Sequence, residues 1–226
     1  KNIKNKINIS SANSINIARL IPQSFYYVHS YMQLKDKNKE NVFSVPSGNF
    51  GNITAGLLSK KMGLPIDKFI AATNTNDVIP QFFKNNKYNP KPSVATISNA
   101  MDVGNPSNMV RIMDIYKGLD NLKNDMASWS FSDNETKDCI IKTFNLNHCL
   151  LDPHSSIGLL GIQKYLKESK SDCNGVFLGT AHPSKFSDIL EPVINKKVEL
   201  PETLSDAMKK EKKSKILKNE YNEFYD

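Results

Sequence analysis

The stretch that decides the fold lies at residues 42–52 and reads Val-Phe-Ser-Val-Pro-Ser-Gly-Asn-Phe-Gly-Asn. Residues 42–45 are largely apolar, which predicts a short buried β-strand. Residues 46–52 are rich in turn-forming residues, and residues 53–62 have the pattern of a helix. The sequence therefore predicts a strand that leads through a glycine-containing turn directly into a helix.

The same order of elements recurs further along the chain. Residues 68–73 predict a second strand, and residues 175–178 predict another that ends at Gly179-Thr180-Ala181-His182-Pro183. Strands that alternate with helices are typical of a parallel α/β sheet. Helices are predicted at residues 13–34, 53–62, 76–83, 109–122, 133–143, 155–166 and 186–194, and a long loop at residues 85–108.

The composition is that of a globular protein. Of the 226 residues, 39% are hydrophobic and 23% are charged, a mixture that can bury a core. No stretch approaches the roughly 18 consecutive apolar residues of a membrane helix. The three cysteines include no Cys-x-x-Cys pair, which supports neither a disulfide framework nor a zinc site. We therefore expect a cytoplasmic protein with reduced cysteines, no bound metal and no membrane contact.

The formal net charge is +7, from 30 Lys and Arg against 23 Asp and Glu. Much of the excess lies in a run at residues 209–215, which predicts a solvated, helical face. Such a run can also contact nucleic acid, but the absence of interleaved aromatic residues favours the solvated face. The chain begins with Lys1 rather than Met, and we expect it to be a piece of a longer protein.

The turn at residues 46–52 is the first candidate site. Gly48 and Gly51 allow the backbone to turn sharply and to approach a ligand closely. The helix that follows presents free N–H groups and a positive dipole end, and Ser47, Asn49 and Asn52 add uncharged polar groups. These features predict a phosphate-binding turn without a lysine; the alternative is an ordinary strand–helix connection.

The segment before the first helix is the second candidate site. Asn13 or Ser14 is predicted to cap that helix, and Arg19 follows about one turn later. Helix N-terminal donors and an arginine can bind an anion together, and an ordinary capped helix with a surface arginine is the alternative.

The third candidate follows the strand at residues 175–178. Ligands of open α/β sheets bind beyond the carboxyl ends of the strands, where the hydroxyl of Thr180 can meet a neutral heterocyclic nitrogen. His182 is either an acid–base group or structural. Two further segments have two interpretations each. Residues 98–108 are either a tight surface loop or the wall of a site. Residues 152–155 are interpreted first as a helix start and second as part of a site.

Together these segments resemble the threonine synthases, which are fold type II pyridoxal-phosphate enzymes of the tryptophan synthase β family. The resemblance rests on five strings that occur in the family's order and span about residues 9–201. They are Ser-Ala-Asn-Ser-Ile-Asn at 11–16, Val-Pro-Ser-Gly-Asn-Phe-Gly-Asn at 45–52, Ala-Ala-Thr-Asn at 71–74, Ser-Asn-Ala-Met-Asp-Val-Gly at 98–104 and Phe-Leu-Gly-Thr-Ala-His-Pro at 177–183.

The resemblance implies an α/β fold in which residues 1–200 form a partial parallel-sheet large domain, with its N-terminal part missing, and residues 201–226 form a polar basic tail. It implies conversion of O-phospho-L-homoserine and water into L-threonine and phosphate, with pyridoxal 5′-phosphate as the electron sink. It implies a monomer or a homodimer. The implied cofactor contacts are Ser47, Gly48, Asn49, Phe50, Gly51, Asn52 and Thr180, and the implied substrate-phosphate contacts are Asn13, Ser14 and Arg19.

The sequence departs from the family at one point. The family's Schiff-base lysine lies upstream of the segment that matches Asn13, and none of this chain's lysines stands in a matching motif. We therefore expect a fragment that is inactive alone. Two alternatives stay open: a non-catalytic relative that binds a phosphorylated ligand, and a pyridoxal-phosphate lyase for another phosphorylated amino acid.

Overall fold

The computed structural model describes residues 13–211, 213–218 and 220. In this part of the chain four parallel strands form one sheet in the order β3-β2-β1-β4. The strands are β1 (Glu40–Pro46), β2 (Lys68–Thr73), β3 (Met126–Ser130) and β4 (Cys173–Phe177). The helices are α1 (Ile17–Met32), α2 (Gly51–Lys61), α3 (Val78–Asn85), α4 (Met109–Tyr116), α5 (Leu119–Asp125), α6 (Asp133–Asn147), α7 (Pro153–Ser169), α8 (Ser187–Ile194) and α9 (Glu202–Met208).

Helices cover both faces of the sheet. Successive side chains of a strand point to opposite sides, so each strand contributes side chains to both layers of the core. Phe43 of β1 pairs with Phe69 of β2, and both pack into the core on the side of α1 and α2. Val42 and Ile70 point the other way and pack against α7 through Ile162. The apolar runs of β1 and β2 are therefore explained by helices on both sides.

Helix α1 is held to the start of α2 by Tyr27. The Tyr27 side chain is fully buried, and its ring lies 5.6 Å from that of Phe43. Its hydroxyl donates hydrogen bonds to Asn52 Oδ1 at 2.8 Å and to the Asn52 carbonyl at 3.0 Å, and burial holds the Tyr27 pKa well above its usual value. Gly56 permits this approach, since a Cβ there would lie 2.6 Å from the rings of Tyr27 and Phe69.

The predicted parallel α/β arrangement is confirmed, and several element boundaries differ. The N-cap of α1 is Asn16, not Asn13 or Ser14, because the Asn16 side chain accepts the Ala18 N–H at 3.0 Å. The helix predicted at residues 109–122 is two helices, because Lys117 and Gly118 have φ of 54° and 157° and cannot continue a right-handed helix.

Strand β3 was not predicted, and one prediction is wrong. The described residues of the charged run, 209–211 and 213–215, are exposed as expected but lie beyond the end of α9 rather than on a helix. None of the described helices is long and apolar enough to cross a membrane. Residues 11 and 12 of the first family string, and residues 212, 219 and 221–226 of the predicted tail, lie outside the described residues.

Candidate functional site

The carboxyl ends of β1 and β4 meet at one cavity. It has a volume of about 180 Å³, and it lies where parallel α/β sheets bind their ligands. The turn at residues 46–52 follows β1, and Thr180 lies three residues beyond β4. Gln23 of α1 and His154 in the first turn of α7 complete this side of the cavity. The lining consists of Ser14, Gln23, residues 46–52, Ala100, Met101, His154 and Thr180.

The 46–52 turn presents its backbone to this cavity. A Cβ at Gly48 would lie 2.7 Å from the Met101 Cα and 2.8 Å from the Ala100 carbonyl oxygen, so no side chain fits there. Phe50 is the N-cap of α2 and has a left-handed φ of 60°. The first turn of α2 is uncharged, and its N–H groups have no carbonyl partner within the helix. The arrangement favours an anion at the helix N-terminus.

Asn49 fixes the turn to two neighbouring segments. Its Oδ1 accepts the Ser107 N–H at 2.6 Å and the Ser107 hydroxyl at 2.9 Å, and its Nδ2 donates to Ser14 Oγ. The Asn108 side chain donates to the Asn49 carbonyl at 2.9 Å and to the Ser14 carbonyl at 3.1 Å. The Asn49 side chain and carbonyl thus hold the site together, and the backbone N–H of Asn49 is left to face a ligand.

The three residues predicted to contact a substrate phosphate are not in equivalent places. Ser14 lines the cavity, whereas Asn13 and Arg19 are exposed and outside its lining. The Asn13 side chain accepts the Ile15 N–H at 3.1 Å. A second arginine, Arg111, donates to the Ile15 carbonyl and to Asn108 Oδ1, both at 2.8 Å; the sequence analysis did not single it out.

Asp152 organises the side of the cavity near Thr180. Its Oδ1 lies 2.9 Å from His154 Nδ1, and its Oδ2 accepts the Ser155 hydroxyl. Ser155 Oγ in turn accepts the Thr180 N–H at 3.3 Å. Burial alone would raise the pKa of Asp152, but the hydrogen bonds from His154 and Ser155 outweigh it and lower that pKa on balance. Asp152 therefore remains a carboxylate that orients both neighbours.

His154 connects Asp152 to the opposite wall of the cavity. Its Nε2 accepts the Ala100 N–H at 3.3 Å, which places the ring proton on Nδ1, facing Asp152. The ring packs against Phe186, with 5.0 Å between ring centroids. Residues 152–155 form the predicted helix start, and His154 also lines the cavity, which was the second interpretation of this segment. His182, by contrast, is exposed and binds Ser184 outside the lining.

The Ala100–Met101 wall is held by buried amides. Asn74 Nδ2 donates to Thr96 Oγ1 at 2.8 Å and to Asp102 Oδ1 at 2.9 Å. Asn76 Nδ2 donates to the same Asp102 oxygen at 3.2 Å. Because each buried polar group finds a partner, the loop is rigid where it meets Gly48. Within residues 98–108 the structure therefore brings Ala100 and Met101 to the cavity.

Comparisons with known proteins relate this chain to one family. A family model described as "Threonine synthase, C-terminal" matches residues 155–225. The chain is 42% identical over 207 residues to threonine synthase from Buchnera aphidicola subsp. Schizaphis graminum and 43% identical over 203 residues to that from Haemophilus influenzae. These matches cover 91% and 89% of this chain, and 47% of each relative. The chain thus spans about half the length of the curated relatives it matches.

Solved structures show the same relationship. Threonine synthase from Escherichia coli superposes with a TM-score of 0.82 at 36% identity, over 91% of this chain and 47% of that one. The pyridoxal-phosphate-bound threonine synthase from Brucella melitensis superposes with a TM-score of 0.89 at 30% identity, over 99% of this chain and 55% of that one. In sequence and in fold, this chain corresponds to the C-terminal portion of the threonine synthases, which are fold type II pyridoxal-phosphate enzymes.

Proposed function

We propose that this chain forms the cofactor-binding part of a threonine synthase, which converts O-phospho-L-homoserine and water into L-threonine and phosphate. The observation that carries the proposal is that the 46–52 turn and Thr180 line one cavity. A glycine-containing turn and a threonine hydroxyl that line one hollow suit the phosphate and the ring of a phosphorylated pyridine. The similarity to a relative whose structure contains pyridoxal phosphate supports the same cofactor here.

The turn has the features that a cofactor phosphate needs. Gly48 and Gly51 remove side chains where the backbone must approach the oxygens, and the uncharged first turn of α2 adds N–H donors and a positive dipole end. Ser47 is buried and donates its hydroxyl to the Val45 carbonyl at 2.9 Å. In this proposal the backbone of the turn, rather than a lysine, holds the phosphate.

Thr180 supplies an uncharged partner for the ring. Its backbone is fixed by Ser155, which Asp152 fixes in turn, so the side chain starts from a defined position. A hydroxyl can hydrogen-bond a ring nitrogen without forcing it to be protonated, which a carboxylate would do. When bound, pyridoxal phosphate supplies an electron sink for the bond changes of the substrate.

The substrate is proposed to bind next to the first turn of α1. Ser14 lines the cavity, and we propose that Asn13, Ser14 and Arg19 contact the substrate phosphate. None of the described residues that line the cavity is a lysine. The covalent attachment and the proton transfers that require a lysine are therefore proposed to depend on polypeptide outside this chain, and this chain alone is proposed to bind ligand without turnover.

The lining of the cavity is also compatible with a second candidate function. In this alternative the protein is a relative of the enzyme that binds a phosphorylated ligand and catalyses no reaction. A lyase for another phosphorylated amino acid would use the same site with a different substrate. The sequence relationship favours threonine synthase over both. A cytoplasmic location and a monomeric or homodimeric state belong to the same proposal.

The test is a calorimetric titration of the chain with pyridoxine 5′-phosphate and, separately, with inorganic phosphate. Pyridoxine 5′-phosphate has the ring and the phosphate but no aldehyde, so it cannot react with the chain's many lysines. Thr180→Val should weaken pyridoxine 5′-phosphate binding by about 3- to 10-fold, the range expected for one hydrogen bond. It should leave the affinity for inorganic phosphate unchanged.

The matched control is Thr203→Val in α9, where the side chain is exposed; it should change neither affinity. The proposal is contradicted if the chain binds neither compound at millimolar concentration, or if Thr180→Val and Thr203→Val behave alike.

A further inference from the structure

Arg111 joins two segments that the proposed function uses for two different phosphates. It lies in the first turn of α4 and is half-buried. Its Nη1 donates to Asn108 Oδ1, and its Nη2 donates to the Ile15 carbonyl, both at 2.8 Å. Because the donors of a guanidinium form a rigid planar fork, the two bonds together fix the start of α4 against the residue that follows Ser14.

Asn108 continues this connection to the cofactor turn. Its side chain is fully buried, and its Nδ2 donates to the Ser14 carbonyl at 3.1 Å and to the Asn49 carbonyl at 2.9 Å. A side-chain amide has one acceptor end and one donor end. Since Arg111 binds the acceptor end of Asn108, the donor end faces Ser14 and Asn49. Arg111 therefore sets the orientation of the amide that ties the two segments together.

Ser14 is the cavity residue on which this connection acts. It lines the cavity, and its Oγ accepts a hydrogen bond from Asn49 Nδ2. Because the Ser14 oxygen is the acceptor in that bond, its hydroxyl hydrogen can be donated to an anion in the cavity. The place of this hydroxyl depends on the Ser14 backbone, which Asn108 holds directly and Arg111 holds through Ile15.

The residue type at position 111 is informative in this chain. Among its 30 basic residues only Arg19 and Arg111 are arginines, so lysine supplies the positive charge almost everywhere else. A lysine carries a single point charge and has no planar fork that reaches two acceptors in a fixed geometry. An arginine that bridges two acceptors is therefore the feature of position 111 that a lysine could not supply.

We propose that Arg111 is a positioning residue for the substrate phosphate, which holds the Ser14 hydroxyl at a fixed place relative to the cofactor turn. The proposal rests on the proposed function, which assigns the two phosphates to residues 46–52 and to the segment around Ser14. Arg111 is outside the lining of the cavity and acts through Asn108 and the Ser14 backbone. Since Asn49 and Asn108 contact both segments, binding of one phosphate should favour binding of the other.

The experiment is a pair of calorimetric titrations of the chain with O-phospho-L-homoserine, without and with saturating pyridoxine 5′-phosphate. The unmodified chain should bind O-phospho-L-homoserine at least about threefold more tightly when pyridoxine 5′-phosphate is present, and the reverse titration should give the same factor. Arg111→Ala should weaken O-phospho-L-homoserine binding by about tenfold and abolish this coupling. Its affinity for pyridoxine 5′-phosphate alone should stay within about twofold, because Ser107 still holds the Asn49 side chain.

Arg111→Lys separates positioning from charge. It keeps the positive charge but loses the fork, so it should lose the coupling as Arg111→Ala does. The matched control is Lys84→Ala on α3, which removes one positive charge from an exposed side chain and should change neither the affinities nor the coupling. Circular dichroism should show the same fold for all three variants.

The proposal is overturned if Arg111→Ala binds O-phospho-L-homoserine as Lys84→Ala does, or if Arg111→Lys restores both the affinity and the coupling. Equal weakening of both ligands by Arg111→Ala would also overturn it, because that result indicates a general loss of structure. A chain that binds neither compound contradicts the proposed function as well. A chain that binds pyridoxine 5′-phosphate but not O-phospho-L-homoserine, or that shows no coupling, contradicts the role of Arg111 alone.

Discussion

The Cα of Met101 lies only 2.7 Å from the position that a Cβ on Gly48 would occupy. The two residues come from segments about fifty positions apart, yet their backbones are in contact where both line the cavity. Real Cβ atoms essentially never approach a backbone atom this closely. The absence of a side chain at Gly48 is therefore a requirement of the site, independent of any turn conformation.

Gly48→Ala is expected to displace the Ala100–Met101 wall and to lower affinity for inorganic phosphate by at least about tenfold. The cost in unfolding free energy should be about 1–3 kcal/mol, typical of overpacking. Phosphate titration and urea denaturation measure the two effects. Gly179→Ala is the control, since its nearest neighbour would be Ser155 Oγ at 3.8 Å; equal effects of the two changes would contradict the close-approach argument.

Tyr27→Phe removes the hydroxyl that donates to Asn52. It leaves the half-buried Asn52 side chain without this donor, so we expect a loss of about 0.5–1.5 kcal/mol of unfolding free energy. The start of α2 should also become more mobile, which is measurable as faster amide exchange of residues 51–54. Tyr26→Phe, at a side chain that is 58% exposed, should change neither quantity; the assignment of Tyr27 fails if both variants match the unmodified chain.

Asp152→Asn tests the carboxylate that orients His154 and Ser155. Because the pKa of Asp152 is lower in the folded chain, its contribution to stability is present above the unfolded pKa of about 3.9 and is lost as pH falls through the folded value. The variant should be less stable than the unmodified chain at pH 7. The difference should shrink as the pH is lowered below about 4.

Urea denaturation between pH 7 and pH 3 measures this pH dependence. Asp114→Asn, in an exposed pair with Lys117, is the control and should show little difference at any pH. A constant gap between Asp152→Asn and the unmodified chain across this range would show that Asp152 does not act through its charge.

Gln23 is the cavity residue that the sequence analysis missed and that has no obvious structural role. Its Oε1 is buried without a hydrogen-bond partner in the described structure, and the side chain lines the cavity. Gln23→Ala should therefore cost little unfolding free energy but weaken pyridoxine 5′-phosphate binding by about 3- to 10-fold. Gln33→Ala at the end of α1 is the comparison; an unchanged affinity for Gln23→Ala would remove Gln23 from the site.

The local pattern of apolar residues predicted a parallel sheet because β1 and β2 are continuous apolar runs bounded by turn-forming residues. It missed β3, which follows α5 without a glycine, a proline or a loop between them, so that no sequence signal separates the two elements. The break between α4 and α5 at Lys117 and Gly118 was missed because a single glycine does not interrupt the apolar periodicity.

The parts of the site that could be predicted are those whose residue types lie close together in the sequence. The 46–52 turn and Thr180 each follow a strand and contain the residue types a phosphate and a ring require, and their positions in the sheet bring them together. Gln23 was missed, and His154 stood only in a segment interpreted first as a helix start, because their places in the cavity depend on the fold rather than on neighbours in sequence. Arg19 lies outside the lining of the cavity, and its contact with a substrate phosphate stays a prediction.

The most direct measurement is a two-dimensional NMR titration of the isotope-labelled chain with pyridoxine 5′-phosphate. The account predicts that amide signals of Gly48, Gly51 and Thr180 shift together with one dissociation constant. The larger groove between α6 and α7, about 580 Å³ and lined by Cys139 and Cys149, should be unaffected. Shifts confined to that groove, or shifts of the turn without Thr180, would contradict a single cavity that binds both ends of the cofactor.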